Sequence, residues 1–167
     1  MKTIEIVFTR SRLNFPIFSW AIMLWTWKPY SHVARKLQPA WDEKCSYFQA
    51  NEGKVNYEYE DWFLKEHKIV KSYKINIPVS LHQKMTRVSW KLAGQNYGMC
   101  QNLGIVIIDI FKIFGIKLKN PWKKGMNCSE LMYRTIFKPM FPELKYDPET
   151  IKPHHIESII IKKFNNN

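Results

Sequence analysis

Apolar and polar positions change rhythm along this chain in a way that separates strands from helices. Thr3-Ile4-Glu5-Ile6-Val7-Phe8 alternates and is rich in β-branched residues, which predicts a strand with one buried face. Phe15 to Trp27 is almost continuously apolar and predicts a short helix whose role is packing. Ser31 to Leu37, Tyr47 to Ala50 and Lys54 to Tyr59 are short strand candidates separated by polar turns, one of them containing Asn51-Glu52-Gly53. Ile69 to Ile77 alternates again through Lys71, Tyr73 and Ile75, and Pro78 ends it.

The rhythm then becomes helical. Ser80-Leu81-His82-Gln83 has the form of a capping box, and Leu81, Met85, Val88 and Leu92 share one helical face before Gly94 stops it. Tyr97 to Ile116 predicts further helix, with Leu103 to Ile116 as a core helix that carries Asp109 and Lys112. A helix starting near Cys128 should run to about Phe137, where Pro139 breaks it. Asp147-Pro148-Glu149 can open one more short helix, and Ser158 to Phe164 reads as a closing strand. Strands, then helices, then a strand predict an α+β fold: an antiparallel sheet packed against helices. No repeat and no linker rich in Gly, Ser or Pro interrupts the 167 residues, so residues 1–167 are expected to form a single domain.

Composition narrows the class. The apolar fraction of 46% is ordinary for a globular chain, whereas 15% aromatic residues predicts a core built from large rings. The net charge of +12 favours contact with anions such as acidic wall polymers, anionic lipid or nucleic acid. No nucleic-acid-binding signature accompanies that charge, so specific nucleic-acid recognition is not expected. Arg10 and Arg12 ahead of the apolar stretch imitate a signal peptide, but no small-x-small cleavage site follows and a strand precedes them. Neither apolar stretch is suited to span a bilayer, and the expected location is cytoplasmic or virion-associated.

Cys45, Cys100 and Cys128 are odd in number and lack a CxxC pair, which argues against a disulfide framework or a zinc site. The five histidines add no recognisable ligand spacing, so neither a metal nor a cofactor is predicted. Cys128 stands apart from the other two. In Asn127-Cys128-Ser129-Glu130-Leu131-Met132, Asn127 is placed to cap a helix and Glu130 falls where a capping-box partner belongs. A thiol in a first helical turn feels the positive end of the helix dipole, which favours thiolate. Cys45 follows the charged Asp42-Glu43-Lys44 and Cys100 follows Tyr97-Gly98-Met99, so neither has this setting.

Taken in order, several short pieces resemble a known family. They are a strand leading into Thr9-Arg10-Ser11, an apolar helix, Ser31-His32-Val33-Ala34, Gly94-Gln95-Asn96-Tyr97-Gly98, Asn127-Cys128-Ser129-Glu130-Leu131, and a late Pro153. The sequence resembles the circularly permuted NlpC-type papain-like cysteine hydrolases, which include YiiX-like and many phage-encoded proteins. In that group the histidine strand precedes the cysteine helix. The resemblance implies a permuted papain-like fold with Cys128 as nucleophile, His32 as general base and Gln49 as the third polar residue orienting the imidazole. Asn51 is the nearest substitute for Gln49. A glutamine can accept from the ring N–H but cannot stabilise imidazolium by its own charge. The backbone N–H of Cys128 would contribute to an oxyanion hole, and Tyr30 and Tyr97 either line the cleft or pack in the core. The implied substrates are a peptide, a cell-wall peptide or a lipid-acyl group. The rival readings are a lipid acyl hydrolase or acyltransferase, and a non-catalytic binding or structural virion protein on the same fold.

Overall fold

A computed structural model describes residues 1–12, 17–37, 45–51, 53–98, 104, 107–109, 111–116 and 125–164. Its centre is a five-stranded sheet in the order β4-β3-β2-β1-β5. The strands are β1 (Lys2–Ser11), β2 (His32–Leu37), β3 (Ser46–Asn51), β4 (Lys54–Tyr59) and β5 (His67–Ile77). Every neighbouring pair is antiparallel. The fold is therefore α+β with an antiparallel sheet and helices, as the patterning predicts.

Period-two alternation gives the sheet two distinct faces. Ile4, Ile6 and Phe8 of β1 join Val33, Phe48, Val55, Ile75 and Ile77 in the main core. Val7 joins Ala34 and Tyr47 in a smaller cluster on the other face. The main core is closed by Met85 of α3 (Val79–Leu92), by Leu131 and Met132 of α4 (Cys128–Met132), and by Ile136 and Phe137 beyond it. The smaller cluster is closed by Phe63 of α2 (Glu60–Glu66), whose ring stacks on Tyr47 with centroids 3.8 Å apart. Because α2 joins β4 to β5, it links the two edge strands across this face.

Several elements differ from the sequence reading. The residues read as a closing strand lie in a helix, α5 (Pro153–Phe164). The β-branched run Ile159-Ile160-Ile161 imitates a strand. Burial instead follows helical spacing, with Ile156, Ile159 and Ile160 inside and Ser158, Ile161 and Lys162 outside. Pro153 at the first helical position was the better signal. Helix α3 begins at Val79 behind an extended Pro78, not at a Ser80 cap. The Cys128 helix does not stop before Pro139. It widens into a π segment at Tyr133–Phe137 and continues as a last turn at Lys138–Met140, with Phe141 N–H bonding Phe137 C=O at 2.8 Å. The wider turn accommodates a proline that would otherwise clash with the preceding turn. Asp147-Pro148-Glu149 forms a turn in which the Asp147 carboxylate accepts from Glu149 N–H at 3.0 Å, not a helix.

The first apolar stretch forms α1 (Ile17–Thr26), and part of its apolar surface is left uncovered. Trp20, Leu24 and Trp27 recur at helical spacing and are exposed, Trp27 by 92% and with a left-handed φ of 52°. The expected core helix at Leu103 to Ile116 lies partly outside the described residues. Its described positions 107–109 and 111–113 are helical, but Ile113 and Phe114 are exposed. Tyr97, expected to begin that helical stretch, is instead a β-bridge partner of Met126, and Gly98 after it is not helical.

Candidate active site

The segment leading into the cysteine is fixed by its backbone. Gly98 N–H bonds Met126 C=O at 3.2 Å, and Met126 N–H bonds Asn96 C=O at 2.9 Å. Gly125 has φ +103°, and a Cβ there would lie 2.5 Å from Gly98 N, so only glycine allows this approach. Two residues later the Asn127 side-chain oxygen accepts from Glu130 N–H at 2.8 Å and starts the helix, as its sequence predicts. The Glu130 carboxylate takes Arg134, with Nε at 2.8 Å, one turn on. Cys128 thus sits in the first turn, in a reduced state and only 3% exposed.

The histidine comes from the opposite side of the chain's order. His32 is the first residue of β2, paired with Thr9 of β1. The two residues ahead of it are pinned. Ser31 N–H bonds Thr9 C=O at 3.0 Å, its hydroxyl lies 2.5 Å from that of Ser19 in α1, and the Tyr30 hydroxyl donates to Glu157 of α5. Glu157 is itself buried and also binds Lys28 at 3.1 Å, Lys71 at 2.7 Å and the Tyr73 hydroxyl at 2.9 Å. Burial works against its charge, but bonds from Lys71, Tyr30, Lys28 and Tyr73 bring its carboxyl down to about 2.

His32 and Cys128 lie close enough for each to act on the other's charge. The other side of the imidazole faces β3, where His32 Nε2 lies 2.8 Å from Gln49 Oε1. An amide oxygen only accepts, so the ring proton is at Nε2, which leaves Nδ1 for the sulfur. The amide nitrogen of Gln49 in turn donates to the carboxylate of Glu58 on β4. Cys128, His32 and Gln49 are therefore brought together, with Gln49 fully buried and His32 7% exposed.

Burial opposes charge on either partner. For Cys128 it pushes the thiol up, but the His32 charge and hydrogen bond, the Val33 backbone N–H and the Ser129 hydroxyl bring it below the ordinary thiol value. For His32 burial pushes down, but the charge and hydrogen bond of Cys128, the bond to Gln49 and the charge of Glu58 raise it above the ordinary histidine value. Both directions favour a thiolate–imidazolium pair over a neutral one.

Asn51 does not substitute for Gln49. It turns toward His67, with Nδ2 at 3.4 Å from the ring Nε2. Tyr30 and Tyr97 are core residues: Tyr30 is buried against Phe8 and bonded to Glu157, and Tyr97 packs on the main cluster. Cys45 is a free, half-buried thiol just before β3, and Cys100 lies outside the described residues.

Four groups around the pair were not anticipated: Glu58, His67, Ser129 and the Val33 N–H. Ser129 was adjacent in the motif and open to inference. Glu58 and His67 reach the site only through cross-strand register, which no local pattern announces. Among the described residues, no group of three His, Cys, Asp or Glu could hold a metal ion. No protein-family model matches the chain, and a search of curated proteins finds no match.

Proposed function

We propose that this chain is a cysteine hydrolase of the circularly permuted papain-like class. The observation that carries the reading is the convergence of Cys128 at a helix start, His32 at a strand start and Gln49 on the next strand, each engaging its neighbour. The histidine strand precedes the cysteine helix in the chain, which is the permuted order.

In this reading the Cys128 thiolate attacks an acyl carbon and a C–S bond forms. The carbonyl oxygen takes negative charge beside the Cys128 N–H, the first candidate oxyanion donor. His32 passes its Nδ1 proton to the departing amine or alcohol, leaving an acyl-enzyme. Water, deprotonated by His32, then attacks the same carbon. The thiolate leaves, the acid product is released, and the imidazolium is restored.

Candidate acyl donors are a peptide amide, including a cell-wall peptide, and a lipid ester or thioester. The net charge of +12 and the exposed Trp20 and Leu24 of α1, with Trp27 just after it, favour a donor that is anionic or lies at an anionic surface. Helix α1 is joined to the histidine loop through Ser19 and Ser31, so such a surface would lie close to the site. Among the described residues no helix is long and apolar enough to cross a membrane. We propose a cytoplasmic or virion-associated location.

A second reading, a binding or structural protein with a silent site, draws support from the low exposure of Cys128. Alkylation of each cysteine measured against pH separates the two. The hydrolase reading expects Cys128 to react fastest, with an apparent pKa below that of a free thiol that rises in His32→Ala. Uniformly slow alkylation, insensitive to His32, would establish the silent site instead.

A further inference from the structure

His32 is held on its far side by an amide, and an amide is ambiguous. Its two ends differ in hydrogen-bonding character, and a half-turn about the last side-chain bond exchanges donor for acceptor. If the NH2 end of Gln49 faced His32, the ring would have to accept at Nε2. Its proton would then move to Nδ1, the atom facing Cys128, and neutral imidazole could not take the thiol proton. The position of one amide thus decides whether His32 is a base toward sulfur.

Glu58 removes the ambiguity. Gln49 of β3 and Glu58 of β4 lie near one another across the β3–β4 ladder, where Gln49 pairs with Asn56 and Tyr47 with Glu58. The Gln49 amide nitrogen donates to Glu58 Oε2, and the Gln49 amide oxygen lies 2.8 Å from His32 Nε2. An ionised carboxylate only accepts, so the NH2 end must face Glu58 and the carbonyl must face His32. The same contact polarises the amide and sets a negative charge one side chain behind the imidazole.

We infer that Glu58 is a positioning residue of the proposed hydrolase, acting through Gln49 to fix the His32 tautomer and to support its positive charge. It supplies from the second layer the charge that glutamine lacks. Of the other acids nearby, Glu60 is engaged by Lys36 at 2.6 Å and by the Tyr47 hydroxyl at 3.1 Å, and Glu66 lies 3.4 Å from the Asn51 amide beside His67. The groups that face His32 are Cys128 from α4, Gln49 from β3, Glu58 behind it on β4, and His67 stacked from β5. His67 is kept neutral by burial, which leaves Glu58 as the anion behind the ring.

This inference rests on the hydrolase reading for its purpose, but its test does not depend on turnover. Ring nitrogen chemical shifts of His32 report the tautomer, and their pH titration reports imidazolium stability. In wild type and in Cys128→Ala, neutral His32 should carry its proton at Nε2. In Glu58→Gln the residue at 58 can donate as well as accept, so the tautomers should mix. The imidazolium should then titrate lower by about one pH unit, the order expected for a charge several ångströms away in a partly screened site. Alkylation of Cys128 near pH 6 should slow by about tenfold as the base is lost. The exchange Gln49→Glu with Glu58→Gln keeps both volumes and puts the charge in direct contact with the ring. It should restore the Nε2 proton and raise the titration to the wild-type value or above. A wild-type His32 protonated at Nδ1 overturns the inference without any variant. So does a folded Glu58→Gln protein with unchanged tautomer and titration. A slow, His32-independent Cys128 in wild type overturns the hydrolase reading and leaves the tautomer result to decide the role of Glu58.

Discussion

The imidazole of His67 stacks on that of His32 with centroids 4.9 Å apart and planes inclined by 13°. A second cation so close would oppose the proposed imidazolium. The protein avoids this by keeping His67 neutral. Burial, and then the charge of His32, push its pKa down to about 3. Thr9 and Asn51 lie at the two ring nitrogens, at 3.5 and 3.4 Å, and Phe63 packs against the ring. In the hydrolase reading His67 therefore serves as a flat, uncharged support for the proposed base.

That support has a pH signature. The unfolded chain takes a proton at residue 67 near the ordinary value of 6.5, whereas the folded protein refuses it until about pH 3. Stability is full above pH 6.5 and falls through this window by about 1.4 kcal/mol per pH unit from this one group. His67→Phe keeps a stacking ring and removes the proton. In urea titrations between pH 6.5 and 4.5 the variant should lose stability less steeply than wild type. His82, His154 and His155, also depressed, contribute equally to both proteins. Equal slopes would refute the neutral-support role.

Gln49→Ala should remove the partner of a buried ring N–H. The cost expected from an unsatisfied buried donor is about 1–3 kcal/mol, with a further loss for the vacated volume. Cys128 alkylation near neutral pH should slow with it, since the ring is no longer held. Denaturant unfolding and alkylation rates on one preparation check both. A destabilised protein whose thiol reacts as fast as wild type would limit Gln49 to packing.

Gly125→Ala should be among the more damaging single-methyl changes in the chain. The new Cβ would meet Gly98 N at 2.5 Å and Tyr97 C at 2.6 Å, both backbone, at a φ that L-residues disfavour. We expect a loss of about 2–4 kcal/mol and a lower Tm. The Asn127 cap and Cys128 follow directly, so thiol reactivity should fall in the fraction that remains folded. Gly53→Ala, with a similar φ but open space around its Cβ, is the control and should cost less.

Glu157→Gln should loosen the loop that presents His32. The carboxylate gathers Lys28, Lys71, Tyr30 and Tyr73, and a neutral amide cannot satisfy all four. A loss of about 1–3 kcal/mol at neutral pH is expected, moderated because both lysines are partly exposed. Because the folded carboxyl is depressed to about 2 from 4.5, its contribution is full above pH 4.5 and disappears as pH falls toward 2. The wild-type and variant stability curves should therefore converge in acid. Parallel curves would assign the effect to shape and not to charge.

The first and last strands were legible because Ile4, Ile6 and Phe8, and then Ile75 and Ile77, alternate, and the three short strands between because polar turns bound them. Cys128 was legible because Asn127 and its helix start lie in one short motif. What failed was context-dependent. The run Ile159 to Ile161 has strand propensity, yet burial of Ile156, Ile159 and Ile160 on one side made it helical. Helix α2 was missed between two strands, although Glu60 and Asp61 in its first turn and Lys65 in its last were usable signals. Glu58 and His67 were invisible because strand register, not sequence spacing, brings them to His32.

Helix α2 also ties the two outer strands of the sheet to one another. It runs from the end of β4 straight into β5, and Phe63 lies over the strands between. An edge strand that peels away must drag this brace with it and uncover the imidazole stack beneath. Fraying at either margin and collapse of the base's support should consequently be one event, visible as matched amide exchange in β4 and β5 despite their separation in the sheet.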